Sequence, residues 1–259
     1  MTPTILFVGG GVEVLPGIRR AVDLGCRVLV ADRDPEAPGC RVADGALIAS
    51  AYHPEEVRAA ALAHVRAGGR IDGVLALATD CPHSVAAVAE ALGLRGPGPE
   101  AGARAVDKLA MKRKFAVDGV PQPWFCEITS LDQFLREVRR QGFPLVVKPA
   151  DSRGARGVLR LTGQEDLRWA FRFSMSWSPS RRLVLERFAA GPQVSTESLV
   201  IGGVAHTPGF SDRNYELLDV YAPHIIENGG DLPSFLPPAV HDRVRALVDS
   251  AARSLGITD

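Results

Sequence analysis

Residues Phe143 to Leu161 read FPLVVKPADSRGARGVLRL. The apolar run Leu145-Val146-Val147 predicts a buried strand. It delivers Lys148 at its end, and Pro149 stops it. Asp151-Ser152-Arg153-Gly154-Ala155-Arg156-Gly157 then forms a small, cationic, glycine-punctuated loop, and a second strand follows over Val158 to Leu161. A strand-borne lysine beside a hairpin loop with exposed N–H groups suits a polyphosphate. The lysine supplies a point charge for phosphate oxygens, and glycines let the backbone approach them closely. An ordinary hairpin with a solvated basic turn is the competing reading.

The flanks narrow the choice. Upstream lie Asp107-Lys108-Leu109-Ala110-Met111-Lys112 and Gly119-Val120-Pro121-Gln122-Pro123. Downstream lie Leu183-Val184-Leu185-Glu186-Arg187-Phe188 and Gly191-Pro192-Gln193-Val194-Ser195-Thr196-Glu197. The order DK…K, GVPxP, VVKPxxxxGxxGV, LExFxxGxxxSxE resembles the ATP-grasp superfamily, and most of all its carboxylate–amine ligase and biotin carboxylase branch. The resemblance covers nearly the whole chain. Each motif is weak alone, and the combination is specific.

The resemblance implies an N-terminal Rossmann-like parallel-sheet domain over residues 1–98. An ATP-grasp fold of two α+β lobes follows over 99–259, with a mobile lid at about 120–186 and an incomplete second lobe at 187–259. It implies ATP and Mg2+ as cofactors. A small-molecule carboxylate would attack the γ-phosphate, and an amine would displace phosphate from the acyl phosphate to form an amide or peptide-like bond. Lys108 and Lys148 would neutralise phosphates, and the loop carrying Ser152, Gly154 and Gly157 would cover them. Glu186 would accept from the adenine amino group while the backbone at Arg187 and Phe188 reads the ring edge. Gln193, in place of the family's glutamate, and Glu197 would line the ribose side. Arg213 is the candidate for stabilising charge on the γ-phosphate or acyl phosphate.

Plainer readings stand beside these roles. Glu186 could be a strand-end carboxylate in water, Glu197 a surface cross-strand residue, and Arg213 a loop arginine. Lys112, one turn beyond Lys108, reads as a solvated surface lysine.

Composition excludes little but points one way. The chain has 259 residues, 46% hydrophobic, with 30 basic and 30 acidic residues and formal net charge zero. Charge alone therefore offers nothing for nucleic acid or an anionic membrane surface. No apolar run approaches the roughly 18 residues of a spanning helix. Cys26, Cys40, Cys81 and Cys126 are scattered without a CxxC, against both zinc and a disulfide framework. Reduced thiols in a cytoplasmic protein are the expectation. Dimers are common in the resembled family, so a homodimer stays open.

In the first half, strands at Thr4–Val8, Arg27–Ala31, Ala46–Ser50 and Ile71–Ala78 alternate with helices at Leu15–Leu24, His53–Ala67 and Pro82–Leu92. That alternation predicts a parallel sheet with helices on both faces. Strand, glycine turn, helix and then Asp32 invite a dinucleotide-binding reading. The detail fits badly: Val14 replaces the third glycine of GxGxxG, and Glu13 would set a carboxylate near the pyrophosphate. Thr79, Asp80 and His83 sit just past a strand's carboxyl end, where open α/β sheets bind ligands. Asp80 reads equally as a helix N-cap.

The stretch from Leu92 to Gly102, rich in Gly and Pro, reads as a linker. A helix capped by Asp107 follows, then a strand at Trp124–Ile128. Ser130 and Thr162 open two capping boxes, with helices to about Arg140 and Phe173. A strand over Arg182–Leu185 comes next, with Glu186 just after it. Val194–Ile201 and Val204–Phe210 pair across a Gly202-Gly203 turn, and Pro237–Leu255 is an amphipathic helix. In the resembled family an acidic pair that holds magnesium comes still later. It would lie beyond Asp259, so the chain reads as a truncated ligase, a weak ATP binder with little or no turnover. A carboxylase of the same superfamily and a non-catalytic ATP-binding fragment are the alternatives.

Overall fold

The computed structural model describes residues 2–258, which fall into two compact units. Residues to Val106, with Val200–Gly203 and the stretch from Leu255, form the first; Asp107–Leu199 with Val204–Ser254 form the second.

The first unit runs β1 (Thr4–Val8), α1 (Leu15–Asp23), β2 (Arg27–Asp32), α2 (Pro38–Val42), β3 (Gly45–Ile48), α3 (Pro54–Arg66), β4 (Gly73–Leu75), α4 (Pro82–Leu92) and α5 (Pro99–Val106). The four strands make one parallel sheet in the order β3-β2-β1-β4. Leu6, Val8, Leu29 and Ala31 face one core with α3 and α4, and Phe7, Val28 and Val30 face the other with Ile18 of α1. Central strands buried on both faces account for the unbroken apolar runs TILFV and VLVA. β4 is shorter than its apolar run predicts.

The expected linker contains a helix, α5, from Pro99. Gly102, which made this stretch look like a linker, is there for close packing. A Cβ on it would come within 3.0 Å of the His83 Cα and the Pro82 carbonyl oxygen of α4.

The second unit continues with α6 (Lys108–Val117), β5 (Phe125–Ile128), α7 (Leu131–Gln141), β6 (Leu145–Pro149), β7 (Leu159–Leu161), α8 (Leu167–Ser176) and β8 (Leu183–Arg187). After these come β9 (Gln193–Ile201), β10 (Val204–Arg213), β11 (Gly230–Asp231) and α9 (Pro238–Leu255). One antiparallel sheet has the order β5-β8-β6-β7, and a second has the order β11-β10-β9.

The register of the first of these sheets decides what each face does. Side chains alternate between faces along a strand. Leu145, Val147, Leu159, Leu161, Leu183 and Leu185 therefore share one face, and all are fully buried against Phe134 and Val138 of α7 and Ala170 of α8. Val146, Lys148, Arg160, Val184, Glu186 and Phe125 share the other. One face is dry core, and the other carries every charged residue of these strands except Arg187.

α6 packs on the charged face through Leu109, which clusters with Ala150, Val184 and Phe125. Three boundaries differ from the sequence reading here. β8 runs through Glu186 to Arg187, and β10 runs to Arg213, because both continue pairing past their apolar cores. α8 starts later than the Thr162 box implies. Glu165 does accept from Thr162 N at 2.9 Å and Gly163 N at 3.0 Å, but Asp166 caps the helix, accepting from Arg168 N at 2.8 Å and Trp169 N at 3.2 Å.

Candidate functional site: a glutamate between lysines

Asp107 builds the edge of the site. Its Oδ1 accepts from Leu109 N at 2.9 Å and Ala110 N at 3.0 Å, capping α6, while its Oδ2 accepts from Arg182 at 2.6 Å. Lys108 N donates to the Ala150 carbonyl at 2.8 Å, which ties the start of α6 to the end of β6. Burial alone would raise the Asp107 carboxyl. The Arg182 guanidinium and the two amide N–H groups outweigh it and hold the carboxyl below its usual range.

A depressed folded-state value means that stability from this group is complete above the unfolded value, near pH 4, and is lost as pH falls through the folded value. Asp107→Ala is expected to cost about 1–2 kcal/mol at pH 7. The gap from the parent should close as pH drops below about 4. Urea melts of both proteins at pH 7 and pH 3 check this, and an undiminished gap at pH 3 contradicts it.

The centre is Glu186. Its neighbours on the sheet are Phe125 of β5 and Val146 of β6. Its Oε1 accepts from Lys148 Nζ, two residues along β6. Its Oε2 lies 2.9 Å from Lys112 Nζ. Lys112 Nζ also approaches Gln122 Oε1 at 3.4 Å and sits 5.1 Å from the centre of the Phe125 ring. Side-chain exposure is 11% for Glu186, 9% for Lys112 and 20% for Lys148.

The solvated reading of Lys112 is therefore wrong. Three residues past the fully buried Leu109 it lies on the inward face of α6, and its ammonium meets a carboxylate there. The i, i+3 spacing from a leucine was the available signal. The third lysine, Lys108, donates from Nζ to the Ser152 carbonyl at 2.5 Å, at the root of the glycine loop.

That loop follows the expected hairpin. Gly154 is exposed at φ +59° with open space around it. Gly157 is buried at φ +73°, and a Cβ there would lie 2.8 Å from Pro149 Cγ and 2.9 Å from Trp177 Cβ. Lys148 and Lys112 thus share the Glu186 carboxylate, and Lys108 stands at the root of the glycine loop, so three lysines gather about this face of the sheet.

The other candidate residues lie apart. Arg187 faces the opposite side of the sheet from Glu186, and its guanidinium donates to the Gln141 carbonyl at 3.0 Å, at the end of α7. Phe188 stacks under Arg160, whose guanidinium carbon is 5.4 Å from the ring centre. Gln193 and Glu197 are exposed on β9. Arg213, at the end of β10, pairs with Glu227 at 2.6 Å. Among the described residues none of Gln193, Glu197 and Arg213 joins the lysine–glutamate cluster.

In the first unit, Gly9, Gly10, Glu13, Asp32, Tyr52 and Thr79 line a crevice of ≈ 380 Å³ at the carboxyl ends of the strands. Asp32 spends both oxygens on the backbone, accepting from Gly10 N at 2.8 Å and Asp34 N at 3.0 Å. The carboxylate that a dinucleotide ribose would need is thus already engaged. Asp80 is exposed and is not the cap of α4, whose N-cap position is Cys81. His83 Nε2 lies 3.1 Å from the Tyr52 carbonyl.

No family model matches the chain. It is 33% identical over 169 residues to formate-dependent phosphoribosylglycinamide formyltransferase from Burkholderia mallei, covering 64% of this chain and 40% of that protein. It is 28% identical over 186 residues to the large chain of carbamoyl phosphate synthase from Vibrio cholerae, covering 68% of this chain and 16% of that protein. The chain thus spans less than half the length of these relatives. The solved ADP complex of N5-carboxyaminoimidazole ribonucleotide synthetase superposes with a TM-score of 0.79 at 16% identity, over 99% of this chain and 65% of that one. A parallel-sheet unit, a lysine-bearing antiparallel sheet with a glycine loop, and this set of relatives agree: the chain has the ATP-grasp fold and is similar to ATP-grasp carboxylate–amine ligases.

Proposed function

We propose that the charged face of the β5-β8-β6-β7 sheet binds ATP for a ligase that joins a small-molecule carboxylate to an amine. The observation that carries this reading is Glu186 held between Lys148 and Lys112, with Lys108 at the mouth of the glycine loop. Buried ammonium groups need a counter-charge. Glu186 supplies it when the cleft holds no anion, and a triphosphate is the ligand that replaces it best. Lysine ammonium groups then neutralise phosphate oxygens, and loop N–H groups approach them where Gly154 and Gly157 permit. Glu186, relieved of its lysines, is free to accept from an exocyclic amino group of the base.

The chemistry that ATP supplies is activation of the carboxylate as an acyl phosphate, which the amine then captures. The chain's own part is to bind the phosphates, neutralise their charge and exclude water from them. Among the described residues no group of three or more His, Cys, Asp or Glu side chains could hold a metal ion.

Calorimetric titration with AMP-PNP tests the reading. The parent chain is expected to bind with micromolar affinity, and Lys148→Ala to weaken binding at least about tenfold. Absence of binding by the parent, or equal affinity in the variant, overturns it.

A further inference from the structure

Arg160 is not among the residues that the motif pattern selects, yet it lies on the same sheet face as Glu186 and Lys148. Arg160 of β7 pairs with Val146 of β6, and Val146 pairs with Glu186 of β8. These three side chains therefore form one row across three strands, about 4.8 Å apart at each step. Lys148 sits one side-chain repeat farther along β6, toward the glycine loop. The cleft is thus graded along β6. Its phosphate-binding end has Lys148, Lys108 and the loop; its far end has Glu186, Val146 and Arg160.

The guanidinium is fixed in place. Its NH2 group donates to Asp219 on the segment after β10, and its flat carbon centre rests 5.4 Å from the middle of the Phe188 ring. The Arg160 backbone N–H donates to the Pro223 carbonyl at 2.8 Å, so the strand itself is held by the same segment. The side chain is only 17% exposed, whereas that of Asp219 is 86% exposed. The Arg160 Nε–H is buried and has no acceptor among the described residues. A buried donor that lacks a protein acceptor can take one from a bound group. A rigid planar cation with one N–H to spare suits a flat heteroaromatic ring bearing acceptor nitrogens, which a guanidinium can both stack on and donate to.

We infer that Arg160 is a specificity-determining residue that reads the nucleobase, while the lysines read the phosphates. The ligand class is a purine nucleoside triphosphate, with its base lying over Val146 between Glu186 and Arg160. This inference rests on the ATP reading of the same cleft and adds to it the side chain that distinguishes a nucleotide from a bare polyphosphate.

The test titrates the full chain and Arg160→Met with two probes, AMP-PNP and inorganic tripolyphosphate. Methionine keeps the apolar stem and removes the charge and the donor. The expected result is AMP-PNP binding weakened about tenfold in the variant with tripolyphosphate binding unchanged. Unchanged tripolyphosphate affinity also shows that the variant is folded. Equal AMP-PNP affinity in parent and variant overturns the role of Arg160 and leaves the ATP reading standing. Equal weakening of both probes also overturns it, because Arg160 would then act on phosphates or on the fold. If the parent binds tripolyphosphate and AMP-PNP equally well, no base is being read and the inference fails. If the parent binds neither, the ATP reading fails and the inference with it.

Discussion

Glu186→Ala is expected to destabilise the second unit by about 3–5 kcal/mol, the usual cost of removing one partner from a buried charge pair. The magnitude follows from what remains. Lys112 and Lys148 would face each other across a vacated carboxylate, with side-chain exposures of only 9% and 20%. Gln122 and the Phe125 ring offer Lys112 partial compensation, and Lys148 is left with little beside it. Lys112→Met should be far milder, under about 2 kcal/mol, because Glu186 keeps Lys148 and the methionine refills the space. The contrast separates charge from packing.

Tryptophan fluorescence in urea reads the second unit directly, since Trp124, Trp169 and Trp177 all belong to it. Tripolyphosphate at millimolar concentration should restore part of the loss in Glu186→Ala, because an anion again sits between the lysines. A cost below about 1 kcal/mol would mean that the lysines reach water easily and that the cleft is not preorganised for an anion.

Much of this was legible in the sequence, where local chemistry decides the outcome. Asp107 caps α6 as an Asp before a helical run should. Leu145-Val146-Val147 opens a strand, and Lys148 lies one residue from its end beside the glycine loop, because a short β-rich run closed by proline has few other fates. What was not legible depends on partners distant in sequence. Lys112 has the surroundings of a surface lysine, KLAMKRK, until Glu186, 74 positions later, is brought opposite it. Arg160 sits in an unremarkable VLRL strand, and only the register with β6 and β8 sets it in line with Glu186. α5 was hidden because Gly102 weakens helical propensity locally while allowing a close helix contact. In each case propensity or pattern spoke for one residue, and tertiary pairing overruled it.

Gly157→Ala is the second large effect, and it connects the fold to the site. Gly157 is buried at φ +73°, a conformation that costs a residue with a Cβ about 1–2 kcal/mol. The added methyl would also lie 2.8 Å from Pro149 Cγ and 2.9 Å from Trp177 Cβ, closer than carbon atoms pack. Overpacking of this kind adds about 1–3 kcal/mol, so the total is about 2–5 kcal/mol. Gly154→Ala is the control. It shares the left-handed backbone, φ +59°, but meets open space, so only the conformational part, about 1–2 kcal/mol, should appear.

The two substitutions should also differ in binding. Relief of the Gly157 clash must push Pro149, which directly follows Lys148 on β6, so the ammonium moves relative to Glu186 and the loop. AMP-PNP affinity should therefore fall in Gly157→Ala by more than it does in Gly154→Ala, measured under conditions where both remain folded. Gly154 sits at the exposed tip, and its substitution changes how near the backbone can come to a phosphate without moving the lysine. Equal stability losses in the two variants would mean that the loop relaxes around Gly157 without strain, and that Pro149 does not transmit its position to Lys148.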